Sequence, residues 1–211
     1  MTFFGFDLME IIKAIGYVGL FGVIFAETGL FLGFFFPGDS LLFVAGVLAA
    51  QGFFSLPILL GGLFVAAFTG NMVGDWVGAY VGPKIFARED SLLFKKSHLL
   101  KAQSFYEKYG PKMIVLARFV PIVRTFAPIV AGVAKMHYGT FMLYNGIGAL
   151  LWSVGLTTLA YYLGGLVEDI ERYLLPIVVL IIFLSLLPGI FEYWRDRQAS
   201  KKEKAEARSS V

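Results

Sequence analysis

Four residues in this 211-residue chain carry charge where almost nothing around them does: Glu27, Asp39, Arg118 and Arg124. An ionised side chain at the centre of a membrane helix costs about 2.5–3.5 kcal/mol on insertion scales. Four left unpaired would cost on the order of 10 kcal/mol, comparable to the net stability of a whole fold. Mutual pairing is the cheapest remedy, and two acids balance two arginines. One reading of the group is static, as ion pairs that close two segments onto each other. The other is a substrate and proton site. Two forked guanidinium groups suit a phosphate or other oxyanion, which they can hold bidentately. Protonation of Glu27 or Asp39 would leave the constellation positive and receptive to such an anion.

Less telling polar groups lie nearby. Asp75 sits in GNMVGDWVGAYVG, where Gly70, Gly74, Gly78 and Gly82 recur every four residues. That spacing puts the glycines on one helix face and permits close helix packing. Asp75 is a candidate relay or substrate contact, with a capped carboxylate near the cytoplasmic helix end as the plainer alternative. Asn71, one turn earlier, could share its hydrogen bonds. The chain has no cysteine, and its two histidines, His98 and His137, read as interfacial residues. A thiolate or multi-histidine metal site is therefore not expected, and nothing calls for a cofactor. A lipid phosphatase would need a nucleophile and an acid/base pair, and neither histidine is near the arginines in sequence, so no catalytic residue is assigned and no enzyme is expected.

The elements that must carry these residues are membrane helices. The chain is 58% hydrophobic, 17% aromatic and only 16% charged, with a mean hydropathy of +0.75, whereas soluble domains are about a quarter charged. Its 22 phenylalanines exceed what a water-soluble core of this size could bury. Several apolar stretches approach the roughly 20 residues needed to span a bilayer. No basic n-region and small-residue cleavage site mark the N-terminus, so no removable signal peptide is expected.

Charge asymmetry orients them. Seven lysines and arginines fall in residues 84–112 and six more in 195–208, out of 18 in the chain. The positive-inside rule places both segments in the cytoplasm, which makes the basic residues membrane anchors and not a nucleic-acid surface. The acidic stretch 167–172 then lies on the other side. Helices over 138–165 and 173–194 make one outward and one inward crossing. Residues 113–135, KMIVLARFVPIVRTFAPIVAGVAKM from Lys112, must enter from the cytoplasm and return. Pro121 and Pro128 remove backbone donors and disfavour helix at the preceding residues, so this segment reads as a re-entrant hairpin. Residues 17–50 repeat the pattern, with Glu27 in the apolar run, a Pro37-Gly38-Asp39 break, and Asp39 or Ser40 as N-cap of the following helix. If both arms of that segment are re-entrant, the N-terminus is external; if the first arm spans fully, it is cytoplasmic.

The two hairpins look like a diverged repeat: Ala26-Glu27 against Ala117-Arg118, a proline break, a second charge, and Ala-Gly-Val at 45–47 and 131–133. An inverted pair of broken helices meeting near the midplane is the architecture of many secondary transporters. The expected fold is therefore all-α and integral to the membrane. Two inverted re-entrant hairpins (17–50 and 113–135) pack with three to four transmembrane helices (56–82, 138–165 and 173–194 among them). An interfacial amphipathic segment lies within 83–112 and a solvated basic tail over 196–211. Trp152, Tyr161, Tyr162, Tyr173, Tyr193 and Trp194 fit aromatic belts.

The motifs resemble those of the DedA family, bacterial membrane proteins related to the SNARE-associated or VTT-domain proteins of eukaryotes. The resemblance covers roughly residues 10–195. It rests on the spacing of Glu27 from Asp39 in FPGDS, on GDWVGAYVG, on ARFVPIVRTFAPIVAGVAKM, and on F-x3-N-x2-GALLW of Phe141–Trp152. It implies two facing re-entrant hairpins and a lipid-transporting, proton-dependent activity: recycling of undecaprenyl phosphate, or movement of phospholipids between leaflets. It also implies that the family's essential acids match Glu27 and Asp39 and its essential arginines Arg118 and Arg124. The expected partners are thus an anionic lipid phosphate head group and protons, in a bacterial inner membrane with the C-terminus cytoplasmic. A homo-oligomer is compatible with the sequence. The alternative function is a proton- or sodium-coupled antiporter of small solutes using the same carboxylates.

Overall fold

The computed structural model describes residues 2–3, 6–29, 38–86, 104, 106–120, 123–124, 127, 130–131, 136–167, 176–177 and 180. The turn expected in the first hairpin, Pro37, Pro121 and Pro128, most of the expected amphipathic segment, most of the expected 173–194 helix and the basic tail lie outside them. So do His98 and the belt residues Tyr173, Tyr193 and Trp194.

Within that frame the chain is helical. The one extended pairing among the described residues is a short turn in which Thr2–Phe3 runs antiparallel to Phe6–Asp7. Helix α1 covers Leu8–Gly29, α2 Gly38–Ala50, α3 Leu56–Phe86, α4 Met113–Ala117, and α5 Tyr138–Leu166. Among the described residues, three stretches are long and apolar enough to cross a membrane: Ile12–Gly29, Leu56–Val77 and Tyr138–Leu166. The first contains a break, since Gly16 adopts φ 57° and ψ −157°, a conformation that glycine enters without the clash a Cβ would bring. Beyond the break, Tyr17 is anchored: its hydroxyl accepts from the Ser55 N–H at 2.6 Å, and its ring packs on Phe54 and Phe21. The arm that carries Glu27 therefore starts from a fixed point at the foot of α3.

Two apolar cores form on either side of α5. One joins α1, α2, α3 and the later half of α5 through Leu20, Ile24, Leu42, Val44, Leu48, Leu63 and Trp152. The other gathers α4, Val123, Ala127, Val130 and Phe141. Helix α5 thus holds α4 along its first half and α2 along its second. The α2–α5 and α1–α3 contacts are tight: Gly46 of α2 lies against the Thr157 carbonyl and Ala160, and Gly29 of α1 meets Gly70 of α3 backbone to backbone. Gly70 and Gly74 are both buried, so the glycine spacing in α3 does serve close packing there.

Between its two halves, α5 widens into a π-helical stretch, Leu150–Gly155. Insertions of this kind shift the helix register by one residue and are frequent at functional sites. Here the stretch carries Trp152 and Ser153, both buried, and Trp152 faces Asp39, Arg118 and Arg124. Around α3 and α5, Ile58, Val65, Trp76, Tyr80, Leu143, Leu159, Tyr162 and Leu166 are exposed, an apolar outer surface suited to lipid.

Candidate functional site

The chain is arranged so that each polar group of the site leaves a different helix. Glu27 comes from the end of α1, and Asp39 from the first turn of α2. Helix α2 begins at Gly38, so Asp39 and Ser40 lie inside its first turn and not at the expected N-cap position. Helix α4 stops at Ala117, and the chain tightens through Arg118–Val120 with hydrogen bonds from Arg118 N to Val115 O, Phe119 N to Leu116 O and Val120 N to Ala117 O. Helix endings of this kind are expected shortly before a proline, and Pro121 comes next in the sequence. Arg124 follows one turn later, its N–H donating to Val120 O.

The four charges come together, but not as two matched pairs. Arg124 takes both acids: Nη2 donates to Glu27 Oε1 at 2.7 Å, and Nη1 to Asp39 Oδ1 at 3.2 Å. These contacts link residues 97 and 85 positions apart and join the segment of Glu27 and Asp39 to that of Arg124. Arg118 has no acidic partner among the described residues. It is only 3% exposed, and its Nη2 donates to two neutral acceptors, the Ala67 carbonyl at 3.3 Å and Asn145 Oδ1 at 2.8 Å. Its Nε and Nη1 are buried with no hydrogen-bond partner. The expectation that two acids balance two arginines therefore gives way to a lopsided arrangement. The reason is geometric: Arg124 reaches across to α1 and α2, while Arg118 points at α3 and α5, where the acceptors are amides.

Trp152 joins the two arginines. Its indole N–H donates to Asp39 Oδ1 at 2.6 Å. Its ring lies 5.3 Å from the Arg124 guanidinium and 5.7 Å from that of Arg118, within range of cation–π attraction. The sequence reading put Trp152 in an aromatic belt; at 2% exposure it is a member of the site instead. Tyr162 is exposed and Tyr161 half-buried.

Two glycines leave room for these side chains. A Cβ at Gly38 would collide with the Glu27 carboxylate, and one at Gly148 would sit 2.9 Å from Arg118 Nε. The Glu27 carboxylate accordingly rests on the first turn of α2, where the helix dipole favours negative charge. Its Oε2 is buried with no hydrogen-bond partner, as are the hydroxyls of Ser40 and Thr157.

Asn71 and Asp75 part company. Asn71 is buried and donates from Nδ2 to Asn145 Oδ1 at 3.1 Å, which ties it to Arg118 through one shared acceptor. Asp75 is half-buried on α3 and makes no described contact with the four charges. Asn145 itself, fully buried and hydrogen-bonded on both its amide atoms, stands in the F-x3-N-x2-GALLW motif but is given no role in the site by the sequence. The signal available was a lone amide in an apolar run, seven residues before the tryptophan.

The chain is similar in sequence to known membrane proteins. Residues 36–164 match the VTT domain. The chain is 44% identical over 200 residues to Protein DedA of Escherichia coli K12, covering 92% of this chain and 91% of that protein. The chain belongs to the DedA family of VTT-domain membrane proteins. Identity to a membrane protein of Mycobacterium leprae is 37%, over 87% of this chain and 82% of the relative. Identity to the inner membrane protein YqjA of Escherichia coli is 32%, over 88% and 87%. No solved structure matches. As a DedA-family member with several apolar helices, the chain is a multi-pass membrane protein.

Proposed function

We propose that this protein is a lipid transporter of a bacterial inner membrane, moving a lipid with an anionic phosphate head group between leaflets, coupled to protons. Undecaprenyl phosphate or a phospholipid is the cargo this reading favours. The observation that carries it is Arg118: a buried guanidinium beside a second arginine that already holds both acids. A buried charge without a counter-charge costs several kcal/mol. An oxyanion delivered by a ligand removes that cost.

In this reading the hairpins are re-entrant. Helix α2 has 13 residues, about 20 Å at 1.5 Å per residue, and the Glu27 arm beyond the Gly16 break is of similar length. Both fall short of a hydrocarbon core of roughly 30 Å. Parting the hairpins separates Arg124 from Glu27 and Asp39 and opens a polar groove for the head group, while the acyl or prenyl tail stays in lipid. Glu27 Oε2 is the atom that would carry the coupling proton, because a proton there weakens the hold of Glu27 on Arg124. The C-terminus lies in the cytoplasm by the positive-inside rule. No step makes or breaks a covalent bond, so we assign transport and not catalysis.

The test is movement of undecaprenyl phosphate, beside phosphatidylethanolamine, in proteoliposomes with and without an imposed pH gradient. Faster movement of the phosphate-bearing lipid, enhanced by the gradient, is the expected result. If neither lipid moves faster than in protein-free vesicles, lipid transport is wrong, and cation–proton antiport by the same carboxylates becomes the reading to examine.

A further inference from the structure

Arg118 is held by Asn145, and the chemistry of that contact bears on which ligands the site can take. Asn145 is fully buried in the first half of α5. Its Oδ1 accepts from Arg118 Nη2 at 2.8 Å and from Asn71 Nδ2 at 3.1 Å, and its Nδ2 donates to the Phe68 carbonyl at 2.9 Å. This pattern permits one orientation of the amide: two donors face its oxygen, and a carbonyl faces its nitrogen. Flipping it would oppose donor to donor twice. Ala67 and Phe68, consecutive residues of α3, supply the remaining acceptors, to Arg118 and Asn145 respectively. The guanidinium is thereby fixed by two neutral acceptors, the Ala67 carbonyl of α3 and the Asn145 amide of α5, with Gly148 leaving room for its Nε.

A buried arginine is ordinarily held by a carboxylate, which fixes it and cancels its charge together. Here the two effects are separated. We infer that Asn145, locked by Asn71, is a positioning residue for anion recognition: it orients Arg118 through a neutral acceptor so that the full positive charge remains for a ligand oxyanion. Trp152 serves the same end, because a ring face attracts the cation without neutralising it. Arg124, by contrast, is charge-satisfied by Glu27 and Asp39 and links the hairpins. The two arginines have different tasks, and position 145 decides that Arg118 is the one left for the anion. This inference rests on the proposed anionic head group and specifies how it is recognised.

The substitution that separates this from a packing role is Asn145→Asp. It keeps the shape and the acceptor facing Arg118 but adds the counter-charge. Asn145→Ala removes the acceptor and leaves Arg118 charged and less well oriented. The readout is binding of phosphatidic acid to the purified full-length protein in neutral-detergent micelles, followed by the rise in melting temperature with lipid, with diacylglycerol as the uncharged control. The wild type should respond to phosphatidic acid and not to diacylglycerol. Asn145→Ala should weaken the response about tenfold in concentration, the effect of one lost charge-assisted hydrogen bond. Asn145→Asp should abolish it while melting without lipid at or above the Asn145→Ala protein.

A packing role predicts the opposite order, with the near-isosteric aspartate binding better than alanine. That order, or wild-type binding by Asn145→Asp, overturns the inference and leaves lipid transport standing. Absence of any phosphatidic acid response in the wild type overturns the anionic head group and this inference with it. If Asn145→Asp does not fold, Asn71→Leu supplies the second arm: it frees the shared Asn145 Oδ1 from its lock and should weaken binding severalfold, and unchanged binding there also overturns the inference.

Discussion

Replacing Gly38 by alanine should have an effect whose sign depends on a residue eleven positions away. A Cβ at Gly38 would overlap the Glu27 carboxylate, meeting Oε1, Oε2 and Cδ at once. The backbone there is the first turn of α2, packed against α5, so the carboxylate must yield. Overpacking of this kind costs about 1–3 kcal/mol. Displacing Glu27 also breaks its 2.7 Å contact with Arg124, which keeps only Asp39 at 3.2 Å. Loss of a hydrogen bond to a charged group adds about 1.5–3 kcal/mol. A total of about 2–4 kcal/mol allows for partial relaxation, since the carboxylate can swing without vacating its site. In a Glu27→Ala background the collision disappears, and Gly38→Ala becomes neutral or stabilising by up to about 1 kcal/mol through the lower chain entropy of alanine. The assay is a double-mutant cycle by reversible unfolding in mixed micelles. A coupling energy near zero, with Gly38→Ala equally costly in both backgrounds, refutes the placement of Glu27 against α2 and the bridge built on it.

Three further outcomes follow from the same geometry. Trp152→Phe removes the 2.6 Å bond to Asp39 but keeps an aromatic face near both arginines; it should cost about 1–2 kcal/mol and retain transport, whereas Trp152→Ala should cost about 3–5 kcal/mol and abolish it, as unfolding curves and flux together would show. Gly16→Ala places a Cβ at φ 57° and ψ −157°, a strain of about 1–3 kcal/mol, and should lower stability by that amount in the same unfolding assay without altering lipid selectivity. Glu27→Gln removes the proposed proton carrier while preserving its size; the flux should lose its response to an imposed pH gradient, and a gradient response equal to wild type would remove Glu27 from the coupling step.

Cost in the membrane was enough to single out Glu27, Asp39, Arg118 and Arg124, because an ionised group among Phe, Leu and Val is conspicuous wherever the chain later goes. How the charges divide was not legible. Glu27 and Asp39 both reach Arg124 across 97 and 85 residues, and such separations leave no trace in local spacing. Asn145 and Trp152 stand in the F-x3-N-x2-GALLW motif, but their place in the site was hidden for another reason. Neither is charged, and a tryptophan in an apolar helix is as suited to the interface as to the interior until its neighbours are known. The π-helical stretch Leu150–Gly155 compounds this, since it shifts the face that Trp152 would occupy on a regular helix. Element starts were easier: Leu56 and Tyr138 open helices where polar or turn-forming residues give way to apolar runs. The break at Gly16 shows only as a glycine, one of 24 in the chain.

The central claim is that Arg118 takes a lipid phosphate inside the membrane and that Arg124, parting from Glu27 and Asp39, opens the way to it. The most direct measurement is the rate of undecaprenyl phosphate movement in proteoliposomes containing wild type, Arg118→Ala or Arg124→Ala, each verified as folded and inserted. The account predicts accelerated movement by wild type and a fall to the protein-free rate in both variants. Normal movement of the lipid by either folded variant contradicts it.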